Sequence, residues 1–236
     1  MTILKRGGWV GGMKVMLTLL FFLATHNTAL ASEQLNLDNP VLRDKVIAGA
    51  IQWSNLQVPI EEGQLTYEEN KSSPYSGYAV DYYENGKIRE LTPFARGHLD
   101  GIRYNWFKDG KKHSENGWKE SKPHGQTKTW YENGQLMTIL NFKNGETDGI
   151  IKGWYPNGQK KTEVIAKNNK FLTAIVWKPN GAKCRLTNLM DGKGIVIVYN
   201  EDGSEKVRNF FLNGEYVTKG GESEPNTFKA GKEVKD

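Results

Sequence analysis

Cysteine is nearly absent from this chain: Cys184 is the only one among 236 residues, so no intrachain disulfide can form. Because Cys184 lies in a predicted strand, we expect a small buried apolar residue rather than a reactive thiol. Glycine-rich phosphate loops and nucleophile elbows need a strand-to-helix junction, which the chain also lacks. The sequence therefore predicts no catalytic residues, no cofactor and no metal site, and favours a protein that is not an enzyme.

The chain also has no large excess of positive or negative charge. The formal net charge is +5, and three of the positive charges, Lys5, Arg6 and Lys14, lie close to the N-terminus. The remaining lysines alternate with glutamates and form no stripe that could neutralise a row of phosphates. We therefore expect no nucleic-acid partner.

No apolar run is long enough to span a bilayer, which takes about twenty residues. The run from Val15 to Ala24 follows the basic N-terminus, and Ala29-Leu30-Ala31 supplies small residues for cleavage. This pattern predicts a secretory signal peptide at residues 1–31, cleaved near Ala31, and an exported protein, periplasmic or secreted. A membrane anchor is the alternative.

Six turn signals recur along the rest of the chain at steps of 24, 24, 24, 23 and 22 residues. A period of this length indicates one small unit copied in series. Asn-Gly and Asp-Gly favour the type I′ turn of a β-hairpin, and the aromatic and β-branched flanks are typical of strands. The predicted turn residues are Asn85, Gly86, Asp109, Gly110, Asn133, Gly134, Asn157, Gly158, Asn180, Gly181, Asp202 and Gly203. In the last two copies the aromatic stands one residue further from the glycine, which we interpret as a longer loop or a bulge.

Gly77, Gly101, Gly125 and Gly149 repeat at the same period, so the chain turns twice in each unit. Two strands of about six residues remain per unit, and short turns favour antiparallel pairing. The sequence predicts an all-β fold over residues 63–218, an elongated antiparallel meander of about six hairpin repeats in a single twisted sheet. Residues 219–236 are polar and are expected to be disordered.

Residues 32–62 precede the array and contain a candidate helix. Asn39 can cap it and Pro40 suits its first turn. We expect this helix, or an irregular strand in its place, to cover the first edge of the sheet.

Strand alternation places Tyr78, Val80 and Tyr82 on one face of the sheet. The aromatic residues near the tips are the candidates for partner contact: Tyr82, Trp106, Trp130 and Trp154. Either they only hold the sheet together, or one ladder of them forms a binding surface.

The unit resembles the variant MORN repeat, most closely at Gly101–Lys111, Gly125–Lys143 and Gly149–Gln159. Bacterial chains of this kind include YwqK-like antitoxins of toxin–antitoxin systems. The resemblance implies a sheet of hairpins that contacts partners or membranes, with no catalytic residues. The fifth unit departs from the pattern, with Thr173 in place of glycine, and this predicts a bend or break in the array.

Three functions remain open. The first is an exported module that binds a protein partner through its hairpin sheet. The second is an antitoxin or immunity protein, and the third is attachment to envelope lipid or glycan through exposed Trp106, Trp130 and Trp154. His98 and His124 occupy equivalent loops, but loops two strands apart lie roughly 10 Å apart, too far to share a metal.

Overall fold

The computed structural model describes residues 37–58 and 64–217. The predicted signal peptide and tail lie outside these residues. Within these two ranges the chain forms one helix and seventeen strands: α1 Pro40–Ala48, β1 Ile51–Gln52, β2 Leu56–Gln57, β3 Tyr67–Glu68, β4 Gly77–Tyr82, β5 Ile88–Ala95, β6 His98–Leu99, β7 Gly101–Trp106, β8 Lys112–Lys119, β9 Lys122–Trp130, β10 Leu136–Lys143, β11 Glu146–Thr147, β12 Gly149–Trp154, β13 Lys160–Lys167, β14 Lys170–Val176, β15 Gly194–Tyr199, β16 Glu205–Leu212 and β17 Glu215–Val217. A single 3-10 turn spans Trp53–Asn55.

The predicted all-β hairpin array is confirmed. Twelve strands form one open sheet in the order β1-β4-β5-β7-β8-β9-β10-β12-β13-β14, with β6 on β5 and β11 on β10. Every pairing along this path is antiparallel except that of β1 with β4, which is parallel. Strands adjacent in sequence are thus adjacent in space, as short connections require.

The array breaks after β14, where the fifth unit loses its repeat pattern, as predicted. Residues 177–193 are irregular, and the sixth hairpin forms a separate sheet, β15-β16-β17. This is the one large difference from the expected single sheet. A further two-stranded sheet, β2-β3, lies before the array.

Each hairpin tip is a tight turn closed by a glycine. At the first tip the Gly86 amide donates to the Tyr83 carbonyl and the Tyr83 amide to that of Lys87. Only the glycine has positive φ, 77° at Gly86. This is a type I turn followed by a bulge glycine, so the expected type I′ turn is not formed. All six tips share the pattern, so the last two have no longer loop, and the bulge predicted for them is present at every tip.

The type I′ turns are at the opposite edge of the sheet. There, two consecutive residues have positive φ in each loop, as that turn requires. The pairs are Arg96-Gly97, Glu120-Ser121, Asn144-Gly145, Asn168-Asn169 and Asn213-Gly214. Two of these pairs contain no glycine at all, which explains why the sequence signal for them is weak.

Side chains link successive tips across the sheet edge. Asn85 Nδ2 donates to the Lys108 carbonyl at 3.1 Å, and Asn133 and Asn157 repeat this bond to the next tip. Asp109 has no amide to donate, and there Lys111 Nζ binds the Glu132 carbonyl at 2.9 Å instead. Tyrosine hydroxyls form a second series of hydrogen bonds between neighbouring hairpins, which we call the tyrosine ladder. The hydroxyl of Tyr83 donates to the Trp106 carbonyl, that of Tyr131 to the Trp154 carbonyl and that of Tyr155 to the Trp177 carbonyl.

The two faces of the sheet are covered at opposite ends. At the N-terminal end, α1 and the residues before it pack on Val80, Leu91, Tyr104 and Trp106. At the C-terminal end, the β15–β17 sheet packs on the other face, where Phe211 meets a core around Val164 and Phe171. Register assigns the faces, since directly paired residues point the same way.

Asn39 caps α1, because its Oδ1 accepts hydrogen bonds from the amides of Val41 and Leu42. Pro40 occupies the first turn, where a missing amide costs nothing. Helix α1 lies on a face of the sheet, while the first edge is paired over two residues by β1. In residues 37–58 and 64–217, no helix is long and apolar enough to cross a membrane.

Candidate binding face

The predicted contact aromatics share one face of the sheet but differ in exposure. Trp106 is only 5 % exposed, because α1 and Leu37 lie over it. The expectation that Trp106 is exposed is therefore wrong: a segment far away in sequence covers it. Tyr82 is half-buried and packs against the same cluster.

Beyond the reach of α1, the same face is uncovered by the described part of the chain. We call this surface, from β9 to β14, the open face. Three half-buried tryptophans run along it near the tips: Trp130, Trp154 and Trp177. Trp177 was not among the predicted contacts, because its repeat has lost the second aromatic and the local pattern is weak. Its distance of four residues from Gly181 equals that of Trp154 from Gly158 and is the signal that could have found it.

Isoleucines extend the open face away from the tips. Ile150 and Ile165 pair directly across β12 and β13, and they are 44 % and 46 % exposed. Ile139 pairs with Lys152 on the same face, and Lys152 pairs with Glu163. Ile150 and Ile165 thus form a small exposed apolar patch bordered by Lys152 and Glu163, and exposed apolar patches often mark interaction sites.

Lysines lie beside the tryptophans. Lys112 Nζ is 5.2 Å from the ring centre of Trp130, and Lys160 Nζ is 5.4 Å from that of Trp177. At these distances the ammonium is attracted by the negative face of the ring. Lys112 also pairs with Glu115 at 2.6 Å and with Asp38, just before α1. Burial, the largest single effect, acts to lower the pKa of Lys112, but the hydrogen bonds and charges of Asp38 and Glu115 together outweigh it and raise this pKa.

His98 and His124 sit in equivalent loops and contact their own neighbours. His98 Nδ1 lies 3.4 Å from Ser121 Oγ, and His124 Nδ1 lies 3.5 Å from the Asn144 amide. His113 packs on the Phe107 ring at 4.5 Å, and burial lowers its pKa. Among the described residues, no group of three or more His, Cys, Asp and Glu side chains is placed to hold a metal ion.

Cys184 is buried, 4 % exposed, with its Sγ 3.0 Å from Tyr199 Oη. The burial agrees with the expected small buried residue, but the predicted strand is wrong: Cys184 lies in the irregular segment between β14 and β15, where the repeat pattern is lost. The contacts with Tyr199 and Thr187 lower the pKa of Cys184, although burial, the largest single effect, raises it.

Three segments of the chain match the MORN repeat variant: residues 75–95, 123–144 and 147–168. No curated protein matches the chain. The matched segments coincide with β4–β5, β9–β10 and β11–β13, which are hairpins of the main sheet. The chain is thus a β-hairpin repeat protein in which three units are similar to the MORN repeat variant.

Proposed function

We propose that this chain is a non-catalytic repeat protein whose open face binds a protein partner. The observation that carries the proposal is the exposure of Ile150 and Ile165 on the same face as three half-buried tryptophans, which lie nearer the tips. Aromatic anchors within an apolar patch are typical of the centre of a protein interface. Repeats suit such a surface, since each hairpin adds area without a central cavity.

The chain itself supplies an example of what this face accepts. Over the first two hairpins it is covered by α1, with Leu42 and Val46 packing on the aromatic cluster. Asp38 there pairs with Lys112. The open face repeats this chemistry with Lys128, Lys152 and Lys160, so the proposed partner segment is apolar on one side and carries acidic groups.

The test compares two aspartate variants in whole cells. Ile165→Asp places a charge in the open face, and Leu212→Asp is its control on β16, with nearly equal exposures of 46 % and 47 %. Each tagged full-length variant is crosslinked in its source cells, and the bound proteins are identified. A single dominant partner retained by the wild type and Leu212→Asp, but lost from Ile165→Asp, supports the proposal. Identical partners for all three chains refute it.

The resemblance to YwqK-like antitoxins suggests a toxin as that partner. Deletion of the gene for this chain is then lethal only while a neighbouring toxin gene is intact. Healthy growth of the deletion strain with the neighbour expressed argues against a toxin.

Envelope attachment is the competing function, favoured by the tryptophan and lysine neighbours on the open face. Co-sedimentation with liposomes or with cell-wall fragments that Ile165→Asp abolishes would favour it over a protein partner. We place the protein outside the cytoplasm on the predicted signal peptide, and cell fractionation with sequencing of the mature N-terminus tests that placement.

A further inference from the structure

A cleft lies between the end of the main sheet and the small C-terminal sheet, away from the open face. Its volume is about 240 Å³. Ile151, Val164 and Phe171 line it from the main sheet, and Val196, Phe211 and Tyr216 line it from β15–β17. Protein interiors are close-packed, and voids much larger than a water molecule are few. An apolar cleft of this size is therefore an unusual feature of so small a core.

The volume limits what the cleft can hold. An apolar cavity of roughly 150 Å³ already binds benzene, whereas sites for drug-sized ligands begin at roughly 300 Å³. The cleft falls between these values, which fits a short or medium hydrocarbon chain. Water gains little there, because it needs two or more polar partners.

A lysine side chain, that of Lys161, lines the cleft. Lys161 is half-buried, and its Nζ lies 5.3 Å from the ring centre of Tyr155. No acidic side chain in residues 37–58 and 64–217 forms an ion pair with it. Burial lowers the pKa of Lys161, and the charge of Lys206 lowers it further, against a smaller raising effect of Glu201. A half-buried cation with no ion-pair partner is unfavourable, so an anion here would be stabilised.

We propose that this cleft binds a medium-chain fatty acid, with the acyl chain between the two sheets and the carboxylate on Lys161. The apolar lining selects the chain and the ammonium selects the charged end. The site is on the opposite face of the sheet from the open face, so it does not depend on the proposed partner binding.

Titration calorimetry of the full-length protein with octanoate, and with octanol as the neutral probe, tests the proposal. Lys161→Met keeps the length of the side chain and removes the charge. We expect it to weaken octanoate binding about tenfold, the usual effect of one charged hydrogen bond, and to leave octanol binding unchanged. Lys152→Met, on the open face, is the matched control and should bind octanoate like the wild type.

Val196→Trp fills the cleft and should abolish octanoate binding, while Leu212→Trp on the outside of the same small sheet should not. Unchanged circular dichroism of Val196→Trp shows that it has folded, and Lys161→Met tests the site even if it has not. Equal binding of octanoate and octanol to the wild type, equal binding by Lys161→Met and Lys152→Met, or no binding at all overturns the proposal. Ile165→Asp, which removes the partner on the open face, is expected to bind octanoate normally.

Discussion

Loss of one hydroxyl from the tyrosine ladder has an effect that can be worked out from the structure. Tyr155 is 2 % exposed, and its Oη donates to the Trp177 carbonyl at 2.9 Å. Tyr155→Phe keeps the ring and leaves this carbonyl without that donor. An acceptor left unpaired in a buried site costs about 1–3 kcal/mol. Because the acceptor lies near the sheet edge, where water has some access, we expect the free energy of unfolding to fall by about 1–2 kcal/mol.

Urea denaturation followed by tryptophan fluorescence measures this change. In a thermal melt of this 236-residue chain, each 1 kcal/mol lowers the melting temperature by roughly 2–4 °C. Tyr82→Phe is the control, since the Tyr82 side chain is half-buried and its hydroxyl makes no hydrogen bond in the described part of the chain. We expect the control to change the free energy by less than about 0.5 kcal/mol. Equal effects of the two substitutions would refute the role of the ladder.

Three other substitutions probe separate parts of the fold. Glu120 has a positive φ of 48°, a conformation that Asn tolerates better than Glu, so Glu120→Asn should raise the free energy of unfolding by about 0.5–1 kcal/mol. Glu132→Asn, at an exposed tip, is the control in the same urea assay and should leave the free energy of unfolding unchanged. Gly117 has no room for a side chain, since a Cβ there would lie 2.2 Å from the His124 carbonyl oxygen, so Gly117→Ala should lower the free energy of unfolding by about 1–3 kcal/mol. Gly49→Ala is the control and should not destabilise the protein, because its Cβ would meet nothing closer than 3.7 Å. A tolerated Gly117→Ala would contradict the close approach of β8 and β9. Trp106→Ala should lower the free energy of unfolding by about 3–5 kcal/mol because α1 covers the ring, and Trp154→Ala should lower it clearly less, as measured by calorimetric melting. Similar losses of stability in the two variants would mean that the open face is also covered.

The hairpin period was predictable because each turn depends on a few neighbouring residues. The type I′ turn was predicted at the tips and occurs at the opposite edge, since Asn-Gly is compatible with both the type I′ turn and the type I turn with a bulge. The turn type at the tips depends partly on contacts with the neighbouring hairpin. Asn133 Nδ2, for example, donates to the Pro156 carbonyl of the next hairpin at 2.9 Å. At the other edge, Glu120-Ser121 adopts positive φ without glycine, so composition gave no warning.

The candidate surfaces were less predictable for the same reason. Alternation identified the face that carries Trp130 and Trp154, but nothing local to Trp106 indicates that α1 lies over it. The cleft was missed entirely, because the segment around Phe211 has the pattern of one more strand in the array. Its packing on β13 and β14 follows from the break in the fifth unit and depends on contacts between distant parts of the chain.

The positions of the two covering elements, α1 and the β15–β17 sheet, also determine where the repeat array can be lengthened. Helix α1 fits the first hairpins and the β15–β17 sheet fits the last, on opposite sides. An additional 24-residue unit is therefore best accommodated in the middle of the array, between the residues that contact α1 and those that contact β15–β17. Each such duplication would lengthen the uncovered surface by one tryptophan and leave the contacts of both covering elements unchanged.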